Sequence, residues 1–208
     1  GGPLTAAPRI AGVCFTGSTE VAKIIDRQLA KTAPDAMLIA ETGGLNAMIV
    51  DSTALPEQAI RDIVVGAFQS AGQRCSALRV LYIQHDVEER MLDMLYGAMD
   101  TLVLGDSWRI STDVGPVIDE EAHDAISSYL AIAEAEGRVL KRMDEPDDGL
   151  FIAPTVVRIP GIEAVEREIF GPVLHVARFD PEKMDDVIDA INGRGYGLTF
   201  GIHTRIDR

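Results

Sequence analysis

Cysteine, basic residues and long apolar runs are all scarce in this sequence of 208 residues. The two cysteines are too few for a disulfide framework, which favours a reducing, cytoplasmic location. Lys and Arg number 19 against 33 Asp and Glu, and the resulting net charge of −14 argues against binding of nucleic acid or an anionic membrane surface. No apolar run approaches the ~20 residues of a membrane-spanning helix. The first residues lack the basic and apolar regions of a secretory signal.

The rest of the composition is typical of a globular domain, with 47% hydrophobic and 25% charged residues. Short apolar runs alternate with segments of helical periodicity. This alternation predicts an α/β fold, with a mostly parallel sheet covered by helices on both faces. The predicted strands are residues 10–15, 37–40, 46–50, 78–83, 151–157, 173–179 and 198–203. Because the chain enters a strand within ten residues and stops just after another, we expect it to be part of a longer protein.

Helical periodicity marks five segments between these strands. Pro56 is placed to begin the second helix, and Asp86 with Glu89 resembles a capping box at the start of the third. The five patterns lie within residues 21–29, 56–71, 87–98, 122–133 and 184–191.

Cys75 is a candidate nucleophile because it lies on a predicted loop between a long helix and a strand, where reactive groups are often displayed. Arg74 and Arg79 lie close enough in sequence to favour a thiolate. The alternative is a small, buried apolar side chain. Cys14 lies inside an apolar strand without polar neighbours, so we expect it to be such a buried packing residue.

Glu41 directly follows a predicted strand and precedes the pair Gly43-Gly44. A carboxylate in this position can project into a cleft, where partial burial would raise its pKa towards that of a general base. The alternative is a solvated residue of an ordinary glycine turn.

Residues 15–20, Phe-Thr-Gly-Ser-Thr-Glu, join a strand to a helix. The free N–H groups of a helix start suit a phosphate, but an ordinary N-cap by Thr16 or Ser18 explains the same residues. The sequence contains no Gly-x-Gly-x-x-Gly fingerprint. Its histidines and cysteines are too scattered to predict a metal site.

A last candidate segment is residues 168–172, Glu-Ile-Phe-Gly-Pro. Glu168 could bind sugar hydroxyls while Phe170 packs against a ring. Otherwise the segment is a loop before the strand at residues 173–179.

Together these segments resemble the aldehyde dehydrogenase superfamily in residue type, order and spacing. The resemblance covers essentially the whole chain. It rests on residues 15–20, 41–44, 72–75, 115–116 and 168–172. The amino-acid sequences of residues 39–51, 70–80 and 195–199 are similar to those of the glutamate-semialdehyde dehydrogenase module of bifunctional bacterial proline utilisation A proteins.

This resemblance implies an NAD-dependent oxidation of L-glutamate γ-semialdehyde to glutamate, the second step of proline catabolism. Cys75 would add to the aldehyde carbon, and Glu41 would activate the water that hydrolyses the thioester. The backbone N–H of Cys75 would contribute to the oxyanion hole. The other implied roles are the cofactor pyrophosphate for Gly17 and Ser18, the nicotinamide riboside for Glu168 and Phe170, and a substrate contact for Ser76.

The resemblance also implies an organisation. Residues 1–43 would be the C-terminal tail of an NAD-binding domain, and residues 44–208 an incomplete catalytic domain. The longer protein would carry FAD in a separate proline dehydrogenase module and would form a homo-oligomer, and this piece alone would be inactive. Two alternatives remain, a CoA-acylating aldehyde dehydrogenase and a non-catalytic structural module.

Overall fold

The computed structural model describes residues 1–206, which divide into two units, residues 1–43 and residues from Gly44 onward. The first unit contains a short helix, α1 (Gly2–Thr5), and two parallel strands, β1 (Gly12–Thr16) and β2 (Met37–Glu41). The strands are connected by α2 (Thr19–Thr32). Ser18 is the N-cap of α2, where its Oγ accepts a hydrogen bond from the Val21 N–H at 3.3 Å.

The prediction for Cys14 was wrong, because its side chain is exposed in the centre of β1. Side chains alternate along a strand, and in β1 the half-buried positions are Val13 and Phe15. Cys14 therefore lies on the opposite face of this two-stranded sheet from the side that is partly covered.

The second unit is built on a six-stranded sheet with the order β5-β6-β7-β4-β3-β8. All neighbouring strands are parallel except β5 and β6, which are antiparallel. This confirms the predicted α/β fold with a mostly parallel sheet. The strands are β3 (Ala47–Val50), β4 (Val80–Gln84), β5 (Val139–Arg142), β6 (Thr155–Arg158), β7 (Val173–Phe179) and β8 (Phe200–His203).

Helices cover both faces of this sheet. The pair α3 (Pro56–Phe68) and α4 (Glu88–Met99) packs on one face, and their apolar side chains form one core with Leu81, Ile83 and Val176. The opposite face packs against α5 (Glu120–Ala135) and α6 (Met184–Gly193) in two further clusters. Short 3₁₀ turns occupy residues 162–164 and 181–183, and residues 69–72 form a turn with left-handed φ angles at 70–72.

Three local predictions can be judged directly. Pro56 is the first residue of α3, as expected. The capping box was wrong, because α4 begins at Glu88 after Val87 and no side chain caps it. The edge strand β5 was not predicted, since only two apolar residues precede Lys141 and Arg142 within it.

None of the helices described within residues 1–206 has the length and hydropathy needed to cross a membrane. In the same residues, no three His, Cys, Asp or Glu side chains are grouped so that they could hold a metal ion.

Candidate active site

The candidate site of the second unit lies where four neighbouring parallel strands begin. Asn46 directly precedes β3, Arg79 precedes β4 and Thr199 precedes β8, while residues 168–172 lead into β7. Ligands of open α/β sheets are usually bound at the carboxyl ends of the strands. This constellation is at the amino edge, so its residues are found before apolar runs in the sequence rather than after them.

The loop that carries Cys75 begins with an unusual backbone. Ser70, Ala71 and Gly72 have φ angles of 58°, 53° and 65°, in the left-handed region that residues other than glycine rarely adopt. A Cβ atom on Gly72 would overlap the carbonyl group of Gly171. These three residues turn the chain sharply at the end of α3 and present Cys75 on an exposed loop.

The side chain of Asn46 fixes the backbone of this loop through hydrogen bonds. The buried side chain donates from Nδ2 to the carbonyl oxygens of Cys75 and Ala77, at 2.7 and 2.9 Å. Its Oδ1 accepts a hydrogen bond from the Thr199 N–H at 3.2 Å. The amide therefore links the starts of β3 and β8 to the residues on either side of Ser76, whose side chain is exposed.

Gln73 and Arg74 attach the loop to its surroundings at two more points. Gln73 donates to the carbonyl oxygen of Pro116 at 3.3 Å and accepts from the Ile118 N–H at 2.8 Å. Arg74 donates to the carbonyl oxygen of Val65 in α3 at 2.8 Å. The Gly115-Pro116 motif is thus brought against the segment that carries Cys75.

Arg79 is fully buried and bonded at every nitrogen. Nε and Nη2 both donate to Oε1 of Glu168, at 3.1 and 2.9 Å. Nη1 donates to the carbonyl oxygens of Gly72 and Gly171, at 2.6 and 3.2 Å, and Nη2 also donates to that of Arg74 at 3.0 Å. One guanidinium therefore joins the Cys75 loop to the segment that precedes β7.

Glu168 is largely buried beside this guanidinium, with 15% of its side chain exposed. Its second oxygen, Oε2, accepts from the Gly44 N–H at 3.2 Å. Burial raises the pKa of Glu168, and the Arg79 charge and these hydrogen bonds oppose the rise. Phe170 is partly exposed and lies over Arg79, with 5.2 Å between the guanidinium carbon and the ring centre.

The backbone of Arg79 is hydrogen-bonded to a second buried polar side chain, that of His175. The carbonyl oxygen of Arg79 accepts from both the backbone N–H and Nδ1 of His175, each at 2.9 Å. Since Nδ1 donates, Nε2 is the acceptor for the Tyr129 hydroxyl at 2.8 Å. Burial lowers the pKa of His175 to about 4, so this imidazole is neutral at pH 7.

The first unit brings three of the predicted site residues together. The Gly17 N–H donates to the carbonyl oxygen of Glu41 at 3.1 Å, beside the Ser18 cap of α2. Glu41 is exposed at the last position of β2, opposite Thr16 in the strand register.

The sequence predicted no role for Asn46 or His175, and it predicted Arg79 only as a cation near Cys75. The structure pairs the Arg79 charge with Glu168 instead. A signal was present in the sequence, because an arginine at the start of a buried strand needs a partner of opposite charge. The identity of that partner, 89 residues away, could not be read from the sequence.

The model of the aldehyde dehydrogenase family matches residues 1–208, and the chain belongs to this family.

Relatives within the family include bifunctional PutA proteins. The protein of Salmonella typhimurium is 49% identical over all of this chain, which spans 17% of that relative's length. The 1-pyrroline-5-carboxylate dehydrogenase of Geobacillus kaustophilus is 36% identical over 95% of the chain and 39% of its own length. The chain therefore spans well under half of the curated relatives that it matches.

Solved structures similar to this chain also include PutA and another aldehyde dehydrogenase. A mutant of Bradyrhizobium japonicum proline utilization A (PutA) superposes with a TM-score of 0.96 at 51% identity, over 99% of this chain and 21% of that one. Betaine aldehyde dehydrogenase from Staphylococcus aureus, solved in complex with NAD+, superposes with a TM-score of 0.89 at 30% identity. That match covers 98% of this chain and 41% of the other.

Proposed function

We propose that the protein containing this chain oxidises L-glutamate γ-semialdehyde to glutamate with NAD, as the second step of proline catabolism. The observation that carries the proposal is the exposed Cys75 on a loop whose backbone is fixed by Asn46 and Arg79. The proposed substrate is supported by the similarity to bifunctional PutA proteins and to 1-pyrroline-5-carboxylate dehydrogenase.

Cys75 acts as the nucleophile in this proposal. Its thiolate adds to the aldehyde carbon and forms a thiohemiacetal, while the backbone N–H of Cys75 supports the developing oxyanion. Loss of a hydride from that carbon, and of the hydroxyl proton, leaves a thioester. The exposed Ser76 is placed next to the nucleophile, where its hydroxyl contacts the substrate.

Bound NAD would supply the acceptor for this hydride. Gly17 and Ser18 lie at the start of the 14-residue helix α2, whose N–H groups favour a pyrophosphate. Glu168 offers a carboxylate to ribose hydroxyls, and Phe170 offers an exposed aromatic face to the nicotinamide riboside.

Glu41 acts as the general base. It takes a proton from the water that attacks the thioester, and collapse of the resulting adduct releases glutamate and the Cys75 thiolate. The exposed position of Glu41 at the end of β2 leaves its carboxylate accessible to water.

The remaining parts of the proposal concern the whole protein. Residues 1–43 are the tail of an NAD-binding domain, and residues from 44 onward are most of a catalytic domain. FAD belongs to a separate proline dehydrogenase module, and the protein is a cytoplasmic homo-oligomer.

The test is NAD reduction by the full-length protein with glutamate semialdehyde, for Cys75→Ser and for Cys14→Ser as a matched control. Cys75→Ser should lower the rate at least about a thousandfold, the scale of losing a nucleophile. Cys14→Ser should leave the rate unchanged. Activity that survives in Cys75→Ser would refute the mechanism, and consumption of added CoA during turnover would identify a CoA-acylating enzyme instead.

A further inference from the structure

We propose that Arg79 is a positioning residue that couples the Cys75 loop to Glu168 and leaves Oε2 as the Glu168 oxygen that receives a ligand hydroxyl. This deepens the proposed function and rests on it, since Glu168 is taken there to contact the nicotinamide riboside.

The first argument is the distribution of the Arg79 hydrogen bonds. Two of its acceptors, the carbonyl oxygens of Gly72 and Arg74, belong to the loop that presents Cys75. Glu168 and the carbonyl oxygen of Gly171 belong to the segment before β7. Because the side chain is fully buried, water cannot replace a bond that is lost when either segment moves.

The second argument is the number of acceptor sites on the carboxylate. Each carboxylate oxygen has two lone-pair directions. Both directions on Oε1 are used by Nε and Nη2 of Arg79, whereas Oε2 accepts one described bond, from the Gly44 N–H. The remaining direction on Oε2 is therefore the one open to a hydroxyl group.

The coupling has a consequence for Cys75, although Glu168 makes no described hydrogen bond to the Cys75 loop. A change at Glu168 alters the orientation of the guanidinium and, through it, the carbonyl oxygens of Gly72 and Arg74 on the N-terminal side of Cys75. A lysine at position 79 keeps the positive charge, but its single nitrogen has three N–H groups and cannot span the same five contacts.

The experiment uses the full-length protein with Arg79→Lys, Glu168→Gln and the double variant. Arg158→Lys is the matched control, because Arg158 forms an ion pair with Glu88 in the same unit but outside the site. Two quantities are measured, the KM for NAD in steady state and the rate at which iodoacetamide alkylates Cys75. Alkylation is followed by mass spectrometry of the peptide that contains Cys75, so that other thiols of the full-length protein do not contribute.

We expect Arg79→Lys and Glu168→Gln each to raise the KM for NAD about tenfold, with a smaller change in kcat. Each should also change the alkylation rate of Cys75 about threefold or more. The double variant should match Arg79→Lys alone in both quantities, and Arg158→Lys should match the unsubstituted protein.

The proposal is overturned if Glu168→Gln leaves the alkylation rate unchanged, or if the effects of the two single variants multiply in the double variant. If Arg79→Lys does not fold, the proposal is tested by the alkylation rate of Cys75 in Glu168→Gln alone. Alkylation requires no turnover, so its result is independent of whether Cys75→Ser abolishes NAD reduction.

Discussion

The two cysteines of this chain are both exposed, and they differ in the backbone that carries them. Cys14 lies in the middle of β1, where regular pairing with Ile39 of β2 sets its position. Cys75 lies on a loop that starts with left-handed residues and accepts hydrogen bonds from the side chains of Asn46 and Arg79. The two cysteines therefore do not differ in exposure, and the difference between them lies in the left-handed, hydrogen-bonded backbone around Cys75.

The same contrast holds for the polar interior of the two units. Within residues 1–206, the buried polar side chains all belong to the second unit, and three of them support the Cys75 loop directly or through one neighbour. These three are Asn46, Arg79 and His175. The hydrogen bonds of these side chains offset the free-energy cost of burying polar groups, and their geometry fixes the position of the loop.

The largest expected change in the free energy of unfolding is at Gly72, in the backbone that leads to Cys75. Gly72→Ala should destabilise the chain by about 4 kcal/mol, because it combines a left-handed alanine with overlap against the Gly171 carbonyl group. Gly137→Ala is the matched control, since Gly137 has a similar φ of 68° but open space around its Cβ position. It should cost about 1 kcal/mol.

Urea unfolding of both variants measures this difference. Equal destabilisation by the two substitutions would mean that Gly72 is needed only for its φ angle, and that the close contact with Gly171 does not hold the loop.

The next effect concerns Asn46. Asn46→Asp preserves the shape of the side chain but replaces the two N–H donors with a carboxylate facing the carbonyl oxygens of Cys75 and Ala77. We expect a loss of about 3 kcal/mol in the free energy of unfolding, from the unsatisfied acceptors and the buried charge. Asn192→Asp, at an exposed position of α6, should change it by less than about 0.5 kcal/mol. Similar urea midpoints for the two variants would contradict the role given to Asn46.

Apolar periodicity predicted the fold well because burial in a parallel sheet leaves a local pattern. The strand at residues 173–179 was placed at its observed bounds, and the others within a few residues. The edge strand β5 lacks this pattern because part of it is solvated, and it was missed.

The candidate site was only partly predictable, for a related reason. Cys75, Glu168 and Gly72 stand in recognisable local motifs, so the sequence pointed to them. Their connection depends on Arg79 reaching across 89 positions, and such a contact leaves no local pattern. Cys14 shows the opposite error, because an apolar strand was taken to imply burial that this sheet does not provide.

The smallest expected effect on the free energy of unfolding comes from His175 and depends on pH. Burial lowers the pKa of His175 to about 4, against an ordinary value of 6.5. Between these two pH values the unfolded chain takes up a proton that the folded chain does not, so stability falls as the pH falls. The loss attributable to His175 between pH 7 and pH 5 should be about 2 kcal/mol.

Urea unfolding at pH 7 and pH 5 isolates this contribution when the chain is compared with His175→Gln, which cannot titrate. The substitution should reduce the dependence on pH by about 2 kcal/mol. The first unit contains no histidine, so no histidine in it contributes to the change between pH 7 and pH 5. If His175→Gln retained the full pH dependence, the imidazole would be protonated in the folded chain, and the hydrogen bond that Nε2 accepts from Tyr129 could not exist.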